Sequence, residues 1–210
     1  GHADHTDEGP RFLTETQTLY KGNRSDAVSH LNHAQAQGYG HNNTGLPIIM
    51  ADGLYGDEEM EVTVPGKIYS SVKLASAIVK APSLIMVSHF TGHLGTGFGC
   101  ALKNMGMGCS SRRGKMVQHS TARPRIKAKA CTKCGLCVHW CPASAVAMEE
   151  QSAVIDSAKC IGCGQCLAVC RFDAVAYNWG ATYEDLQKKV VEHAWGVARG
   201  KEKKMLCVNV

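Results

Sequence analysis

Eight cysteines in the middle of the chain follow one spacing twice, and this pattern restricts the fold more than any other feature. Each run has the form C-x2-C-x2-C-x3-C, and the second run begins 29 residues after the first. Three cysteines in a short loop can direct their sulfurs toward one metal centre, and the small Gly135 and Gly164 leave room for backbone N–H groups. The chain therefore contains an internal repeat with the residue types of a metal site. The runs are Cys131, Cys134, Cys137 and Cys141, then Cys160, Cys163, Cys166 and Cys170.

The spacing is that of bacterial ferredoxins, in which each run gives three thiolates to one [4Fe-4S] cubane and its fourth thiolate to the other. It predicts two [4Fe-4S] clusters as cofactors. One departure from the pattern is Arg171, which stands where a proline usually follows the last cysteine; because proline is not a ligand, we expect the cluster to survive the change. The predicted ligand sets are Cys131, Cys134, Cys137 and Cys170 for one cluster, and Cys160, Cys163, Cys166 and Cys141 for the other.

Zinc, disulfide bonds and chance each account for the cysteine pattern less well. Structural zinc uses four ligands in two separated pairs rather than eight in two runs of four. Disulfides suit small secreted domains, and cysteines two residues apart pair poorly with each other. Chance spacing repeated over this length is negligible. The repeat also continues past the cysteines, because Ala145-Val146-Ala147 matches Ala174-Val175-Ala176, and we expect the same short helix over each cluster.

The chain is too long to be a ferredoxin alone, since only about 50 of its 210 residues belong to the repeat. Apolar runs such as LPIIMAD and SLIMVS predict buried strands, and helical patterns between them favour an α/β (α+β) fold with a partly parallel sheet. The final MLCVNV is a further predicted strand, which must pair with that sheet. We therefore expect an α/β domain over residues 1–130, an inserted 2[4Fe-4S] ferredoxin-like domain over 131–180, and a helix and strand over 181–210 that return to the α/β domain.

Local patterns predict two of the helices in detail. Ser25 is the expected N-cap of a helix with an apolar stripe, and Thr182 precedes a helix with a longer stripe. Single histidines elsewhere are expected on the surface or on helix faces, and the remaining cysteines are expected to be buried, inert thiols, although Cys109 is also a candidate for lining a pocket. The stripes are Ala27, Val28, Leu31 and Ala34, and Tyr183, Leu186, Val190, Ala194 and Val197. The histidines are His30, His33, His139 and His193, and the cysteines are Cys100, Cys109 and Cys207.

Composition is that of an ordinary globular, soluble protein, with 44% hydrophobic and 20% charged residues. The sequence has no run of roughly 18 apolar residues, so no membrane span is predicted. The first residues, GHADHTDEGP, lack the basic start and apolar core of a signal peptide. Cysteines with this spacing require a reducing compartment, so we expect a cytoplasmic protein, from an anaerobe because exposed cubanes are oxygen-labile.

The net charge of +5 hides a strongly basic segment. Residues 101–148 carry nine lysines and arginines and no acidic residue, whereas residues 1–100 carry ten acidic and six basic side chains. The segment either offsets the negative charge of two thiolate-ligated cubanes or attracts an acidic electron-transfer partner. Nucleic-acid binding is disfavoured, because no aromatic interleaving or groove-binding motif accompanies the charge. The nine residues are Lys103, Arg112, Arg113, Lys115, Arg123, Arg125, Lys127, Lys129 and Lys133.

A second informative segment follows SLIMVS. Two histidines come at the carboxyl end of this predicted strand, where open α/β sheets place their ligands, and a predicted loop of closely spaced glycines leads to a helix. Neither the G-x-G-x-x-G fingerprint nor the phosphate loop is matched. The alternative is that the histidines are hydrogen-bonded surface residues and that the glycines only allow tight turns. The candidate catalytic residues are His89, His93, Lys103 and His119, and the candidate cofactor-binding residues are Gly95, Gly97, Gly99 and Lys103.

Three segments of the chain resemble the family catalogued as domain of unknown function 362, namely TETQTLYKG, PIIMADGL and VSHFTGHLGTGFGCALKNMGMGCSSRRGKMVQHS. The resemblance covers nearly the whole chain and is most specific in residues 84–120 and 131–180. It implies a [4Fe-4S]-binding protein with an inserted ferredoxin pair. Departures from the family pattern are Cys100, where a glycine is common, and Arg171.

The same segment has a fainter similarity to the nickel-pincer lactate racemase family. In that family a histidine precedes a G-[FY]-S-G-G-x-K segment and a second histidine follows the lysine. Here His93, the GFGCALK segment ending at Lys103, and His119 fall in that order. The similarity implies a site where the lysine holds an organic cofactor and the histidines ligate nickel or move protons. Because Ser-Gly-Gly is here Gly-Cys-Ala, it indicates a ligand site more than a particular ligand.

The sequence thus supports one main function and two alternatives. The main expectation is an electron-transfer protein, a redox subunit or relay whose clusters pass single electrons between partners, one of them acidic. The first alternative is an iron-sulfur-dependent reductase or other oxidoreductase that binds a substrate or cofactor at the histidines and Lys103. The second is a non-enzymatic binding module in which the clusters are structural.

Overall fold

The computed structural model describes residues 9–20, 22–119, 124–176 and 182–210 of the chain. Within these ranges the fold is a mixed α/β arrangement with six two-stranded sheets, of which two are parallel and four antiparallel. Lys21, Arg123 and the predicted domain boundary at Gly180 lie outside the described residues. The strands are β1 (Leu13–Glu15), β2 (Ile48–Met50), β3 (Glu59–Thr63), β4 (Ser71–Ala75), β5 (Leu84–Ser88), β6 (Thr91–His93), β7 (Gly97–Gly99), β8 (Arg125–Ile126), β9 (Val146–Met148), β10 (Ala153–Ile155), β11 (Val175–Ala176) and β12 (Met205–Asn209). The helices are α1 (Ala27–Ala34), α2 (His41–Thr44), α3 (Ser76–Lys80), α4 (Ala101–Lys103), α5 (Arg112–His119), α6 (Leu136–His139), α7 (Gln165–Val169) and α8 (Tyr183–Ala198), with π-helical turns at Gln35–Tyr39 and Asn104–Gly108 and a 3-10 turn at Ala128–Ala130.

Parallel pairing joins segments that are far apart in the sequence. The last strand, β12, pairs with β5 in register from Met205 opposite Leu84 to Asn209 opposite Ser88, and β1 pairs with β2. The expected return of MLCVNV to the α/β part of the chain is therefore confirmed. The parallel strands form separate two-stranded pairs, however, and not one continuous sheet.

The largest cluster of buried apolar residues involves β4 and α8, and glycines allow the backbones to approach closely. The antiparallel β3–β4 hairpin, predicted from EMEVTVPGKIYSSVKL, supplies Val72 and Leu74, and α8 supplies Val197. A Cβ atom on Gly106 would overlap the backbone oxygen of Val190. The π-helical turn at Asn104–Gly108 and α8 can therefore pack together only because residue 106 has no side chain.

The long helix α8 begins as predicted but buries a shorter stripe. The Thr182 hydroxyl caps it by accepting a hydrogen bond from the Asp185 N–H at 3.1 Å. The predicted stripe places Tyr183 on the buried face, but this residue is 61% exposed, because it lies in the first turn, against Gly95, and outside the main core. None of the helices in the described ranges is both long and apolar enough to cross a membrane.

The first helix, α1, differs from its prediction at both its start and its buried face. Asp26, not Ser25, caps it, and the Asp26 carboxylate accepts a hydrogen bond from the Ser29 N–H at 2.9 Å. The predicted apolar stripe is wrong, since Val28 is 60% exposed while His30 is buried. The reason is polar: the His30 ring is hydrogen-bonded to a buried side chain from the segment after β1.

The glycine- and histidine-rich segment forms a β-hairpin and not the predicted loop. β6 and β7 pair antiparallel, with Thr91 opposite Gly99 and His93 opposite Gly97. Gly97 has a φ of 74°, the left-handed conformation that favours glycine in tight turns. The hairpin places His93 at the last position of β6, directly before the turn.

Residues 124–176, here called the cysteine unit, contain two strand pairs related by the sequence repeat. β8 pairs with β11, and β10 pairs with β9, so that Ile126 lies opposite Val175 and Ile155 opposite Val146. The short helix predicted at each Ala-Val-Ala is wrong, because both valines are buried in strands and face a cross-strand isoleucine. The repeat in structure thus includes β8, which precedes the first cysteine.

Candidate functional site

The two cysteine runs adopt the same backbone conformation. A glycine in the left-handed region precedes each short helix, Gly135 before α6 and Gly164 before α7. Positive φ angles recur at three pairs of positions 29 residues apart. Among the described residues, three that are not glycine have positive φ, and all belong to these pairs. The pairs are Lys133 with Gly162, Gly135 with Gly164, and Ser144 with Asp173.

Each half of the cysteine unit contains a cavity lined by four cysteines. The first cavity measures about 330 Å³ and the second about 310 Å³, including space open to solvent. Three of the four cysteines come from one run and the fourth comes from the other run, which is the grouping that the ferredoxin spacing predicts. The first cavity is lined by Cys131, Cys134, Cys137 and Cys170, and the second by Cys141, Cys160, Cys163 and Cys166.

Burial and mutual proximity keep several of these thiols protonated. Burial raises the pKa of Cys166 to about 12, and the neighbouring cysteines add to the shift. Burial, followed by the adjacent Cys131 and Cys134, also raises the pKa of Cys137, and burial raises the pKa of Cys163. All eleven cysteines of the chain are free thiols. Ionising four neighbouring thiols in each cavity therefore requires a positive charge between them.

Backbone N–H groups are available to the sulfurs in both halves. The Ala145 N–H donates to Cys141 Sγ at 3.2 Å, and the Ala153 N–H donates to Cys131 Sγ at 3.5 Å. Within the described ranges, no three His, Cys, Asp or Glu side chains are grouped as ligands of a single metal ion. In a cubane, by contrast, each thiolate binds a different iron, so the ligands surround a space and not a point.

The two cavities differ in their surroundings, and we call the first the outer cavity and the second the inner cavity. A Cβ atom on Gly135, beside the outer cavity, would meet no heavy atom within 4 Å, and Cys134 is exposed. A Cβ atom on the equivalent Gly164, beside the inner cavity, would lie 3.2 Å from Cγ of Arg112 and 3.3 Å from Cγ of Met116. The inner cavity therefore lies next to α5, while the outer cavity faces solvent.

Arg112, the first residue of α5, joins the inner half of the cysteine unit to the α/β part of the chain. Its side chain is 1% exposed, and its Nε donates to the Tyr55 carbonyl oxygen at 2.6 Å. The Tyr55 ring in turn contacts the ring of Trp140, with centroids 5.4 Å apart and edge-to-face geometry. Trp140 directly precedes Cys141, a lining residue of the inner cavity. Arg112 thus fixes the cysteine unit from two sides.

A buried ion pair lies beneath α5, and the sequence did not predict it. Lys115 Nζ lies 3.8 Å from Asp52 Oδ2 and donates to Thr16 Oγ1 and to the Gln17 carbonyl oxygen, each at 2.7 Å. The Asp52 carboxylate accepts from the Gln17 N–H at 2.9 and 3.0 Å. Burial lowers the pKa of Lys115 to about 8 and raises the pKa of Asp52. The available signal was an aspartate directly after the apolar run LPIIM and a lysine within the segment GKMVQ.

His93 is held in one orientation by the turn of its hairpin. Its Nδ1 accepts hydrogen bonds from the Gly95 and Thr96 N–H groups, each at 3.1 Å. Nδ1 therefore carries no hydrogen, and in the neutral ring the proton is on Nε2. The Gly95 carbonyl accepts from Gln187 Nε2 at 3.0 Å, which anchors the turn to α8. Burial, and then the charge of Lys103, lowers the pKa of His93.

Lys103 and His119 join His93 in a pocket that we call the basic pocket. Burial lowers the pKa of His119 to about 4, and the charges of Lys103 and His93 lower it further. Burial also lowers the pKa of Lys103. The structure therefore brings together three of the four candidate residues. The fourth, His89, is exposed directly after the end of β5 and does not contribute to the pKa of the other three.

The candidate cofactor-binding glycines shape the hairpin. The Gly95 N–H is already used by His93, and Gly97 forms the tight turn. A Cβ atom on Gly99 would lie 2.9 Å from Thr91 Oγ1 on the paired strand and 3.8 Å from Cδ of Lys103. The glycines thus let the Lys103 stem lie across β7, which is how they contribute to the basic pocket.

Predictions about single histidines and cysteines are corrected by burial. His30 and His193 are 3% and 0% exposed, although the sequence places both on the surface or on exposed helix faces. Each ring has an internal hydrogen-bond partner, since His193 Nδ1 donates to the Lys189 carbonyl oxygen at 2.8 Å and the His30 ring contacts Gln17 Oε1 at 3.1 Å. Cys109 is buried as expected, and burial raises its pKa to about 12, but Cys207 is exposed.

A sequence comparison relates the chain to one family. The profile of a family described as "Domain of unknown function (DUF362)" matches residues 5–206. The match includes the α/β elements, the basic pocket and the cysteine unit. No curated protein matches the sequence.

Proposed function

The chain belongs to the DUF362 family, and from its eight cysteines we propose that it is an iron-sulfur electron-transfer protein with two [4Fe-4S] clusters. The observation that carries the proposal is the pair of cavities, each lined by four cysteines with the fourth drawn from the other run. Each cluster supplies a one-electron couple, and four thiolate ligands without a histidine favour a low potential. The function is then that of a redox subunit or relay, in which single electrons pass between two partners.

The residues around the cavities suit this cofactor. Eight thiolates in two enclosed sets exceed what one structural zinc ion uses, and the raised pKa values of the thiols require positive charge in the cavities. The N–H groups of Ala145 and Ala153 stabilise negative charge on the sulfurs that they contact. The short helices α6 and α7 begin beside the cavities and hold the cysteines in place.

The asymmetry of the two cavities gives the relay a direction. Electrons would enter at the outer cavity, because Cys134 is exposed there, and leave at the inner cavity, which contacts α5 through Gly164. Exposed basic residues close in sequence to the outer cysteines, Lys129, Lys133 and Arg171, would attract an acidic donor protein. A charge of this kind acts mainly on the rate of encounter.

The direct test is a reductive titration of anaerobically purified protein, followed by electron paramagnetic resonance. We expect uptake of about two electrons per chain, with spectra of reduced [4Fe-4S] clusters. Replacing Lys129 and Lys133 together by glutamine is expected to slow reduction by an acidic donor at low salt and to leave the electron count unchanged. Protein that takes up no electrons, or that contains zinc, would refute the proposal.

A second candidate function is an oxidoreductase that uses the basic pocket. One observation favours it: α5 starts at Arg112 beside the inner cavity and ends at His119 in the basic pocket, roughly 10 Å away at 1.5 Å per residue. The helix thus connects the two sites. His93→Ala and Lys103→Ala variants that keep both clusters but lose turnover or a bound small molecule would support the enzyme. Electron transfer unaffected by either substitution would favour the relay.

A further inference from the structure

The basic pocket contains three nitrogen-bearing side chains and no acidic one. Among the described residues, His93, Lys103 and His119 influence one another electrostatically, and no carboxylate contributes to the pKa of any of them. The ion pairs formed by the other described lysines do not include Lys103. Positive charge therefore accumulates here without a counter-charge from the described chain.

Such an arrangement is costly unless something binds to it. A half-buried ammonium group has lost part of its hydration, and no carboxylate in the described ranges replaces it. The buried Lys115 shows the contrast, since it has Asp52 and two oxygen acceptors within reach. Lys103 lies against Gly99 and has no comparable partner among the described residues, so its charge remains available to a ligand.

The donors in the pocket are also fixed before any ligand arrives. The turn N–H groups hold His93 Nδ1, so that the Nε2–H group is the remaining donor of the ring, and Gln187 anchors the turn. Lys103 is carried on α4, directly after the hairpin, and His119 is the last residue of α5. Three donors from three separate elements therefore meet at one place. Preorganised donors of this kind recognise an oxyanion.

We propose that the basic pocket binds an oxyanion, a carboxylate or a phosphate group, through His93, Lys103 and His119. The Lys103 ammonium supplies the charge-assisted hydrogen bond and the histidines supply neutral donors. The inference names the ligand class of the second candidate function. It does not require the clusters, because the three side chains belong to the hairpin, α4 and α5 and not to the cysteine unit.

The test is isothermal titration of the anaerobically purified, intact chain with inorganic phosphate and, separately, with acetate. We expect saturable binding of at least one anion, and the anion that binds identifies the source of the oxygens. Lys103→Gln is expected to weaken binding about tenfold or more, because the charge-assisted bond is lost. The matched control is Lys188→Gln, which removes an exposed lysine paired with Glu184 on α8 and should leave the affinity unchanged.

A second measurement covers a variant that does not fold. In the unmodified chain, added anion should shift the imidazole resonances of His93 and His119, while those of the buried His30 and His193 stay fixed. The proposal is overturned if neither anion binds saturably or if Lys103→Gln binds as tightly as the parent. Iron determined on the same samples separates this result from the electron-transfer proposal, since binding is expected whatever the iron content.

Discussion

The exchange of the fourth cysteines predicts how pairs of substitutions combine. Cys134 and Cys170 come from different runs but line the same outer cavity, whereas Cys134 and Cys141 come from one run and line different cavities. With four irons to each cluster, the parent should hold about eight irons per chain and each single alanine variant about four. The Cys134→Ala, Cys170→Ala double variant should still hold about four, because both changes damage one site. The Cys134→Ala, Cys141→Ala double variant should hold almost none.

The assay is iron and acid-labile sulfide per chain in anaerobically reconstituted protein, supported by the resonance spectra of the reduced clusters. Cys207→Ala is the matched control, since Cys207 is exposed, lies outside both cavities and should leave the iron content at the parent value. The reasoning is refuted if the two double variants behave in the reverse way. That result would mean that each run holds a cluster by itself.

Three further predictions concern the α/β scaffold. Gly106→Ala should destabilise the fold by about 1–3 kcal/mol, because the new methyl group meets a backbone oxygen of α8, whereas Gly108→Ala, with 3.9 Å to its nearest neighbour, should change thermal stability little; equal melting temperatures would contradict this. Lys115→Met should cost about 3–5 kcal/mol by leaving Asp52 buried without its cation, and a melting temperature equal to that of the parent would show that the pair carries no such weight. Burial lowers the pKa of His193 from 6.5 to about 4, so the unfolded chain binds the proton first and stability should fall by about 3 kcal/mol between pH 6.5 and 4; urea unfolding of His193→Gln should show a correspondingly flatter pH profile, and an unchanged profile would refute the assignment.

Features set by neighbouring residues were predictable from the sequence. The β3–β4 hairpin follows from alternation on both sides of Pro65-Gly66, and the cap of α8 follows from Thr182. The last strand pairs with β5 because an apolar run must find a partner for its backbone. The cysteine spacing also predicted the two groups of four that line the cavities, since the distance between runs decides which loops can meet.

Features that depend on distant polar partners were not predictable. The sequence around His30 has an apolar helical pattern, but the histidine is buried because Gln17, from another element, satisfies its ring. The Asp52–Lys115 pair joins positions 63 residues apart, and nothing local indicates it. The hairpin at residues 91–99 was missed because glycine is rare in strands, yet Gly99 is needed there to admit the Lys103 stem.

The basic pocket lies between these two cases. The order of His93, Lys103 and His119 suggested a site, and the structure places them together at the junction of the hairpin, α4 and α5. The exclusion of His89 required the fold, because β5 ends before that residue and leaves it exposed. Sequence order alone does not show which residues of a cluster share one face.

Metal analysis of the unmodified chain, isolated without oxygen, tests the central claim most directly. Two cavities with four thiolates each predict about eight irons and about eight inorganic sulfides per chain. Zinc in their place, or an iron content far below that number after reconstitution, would contradict the account.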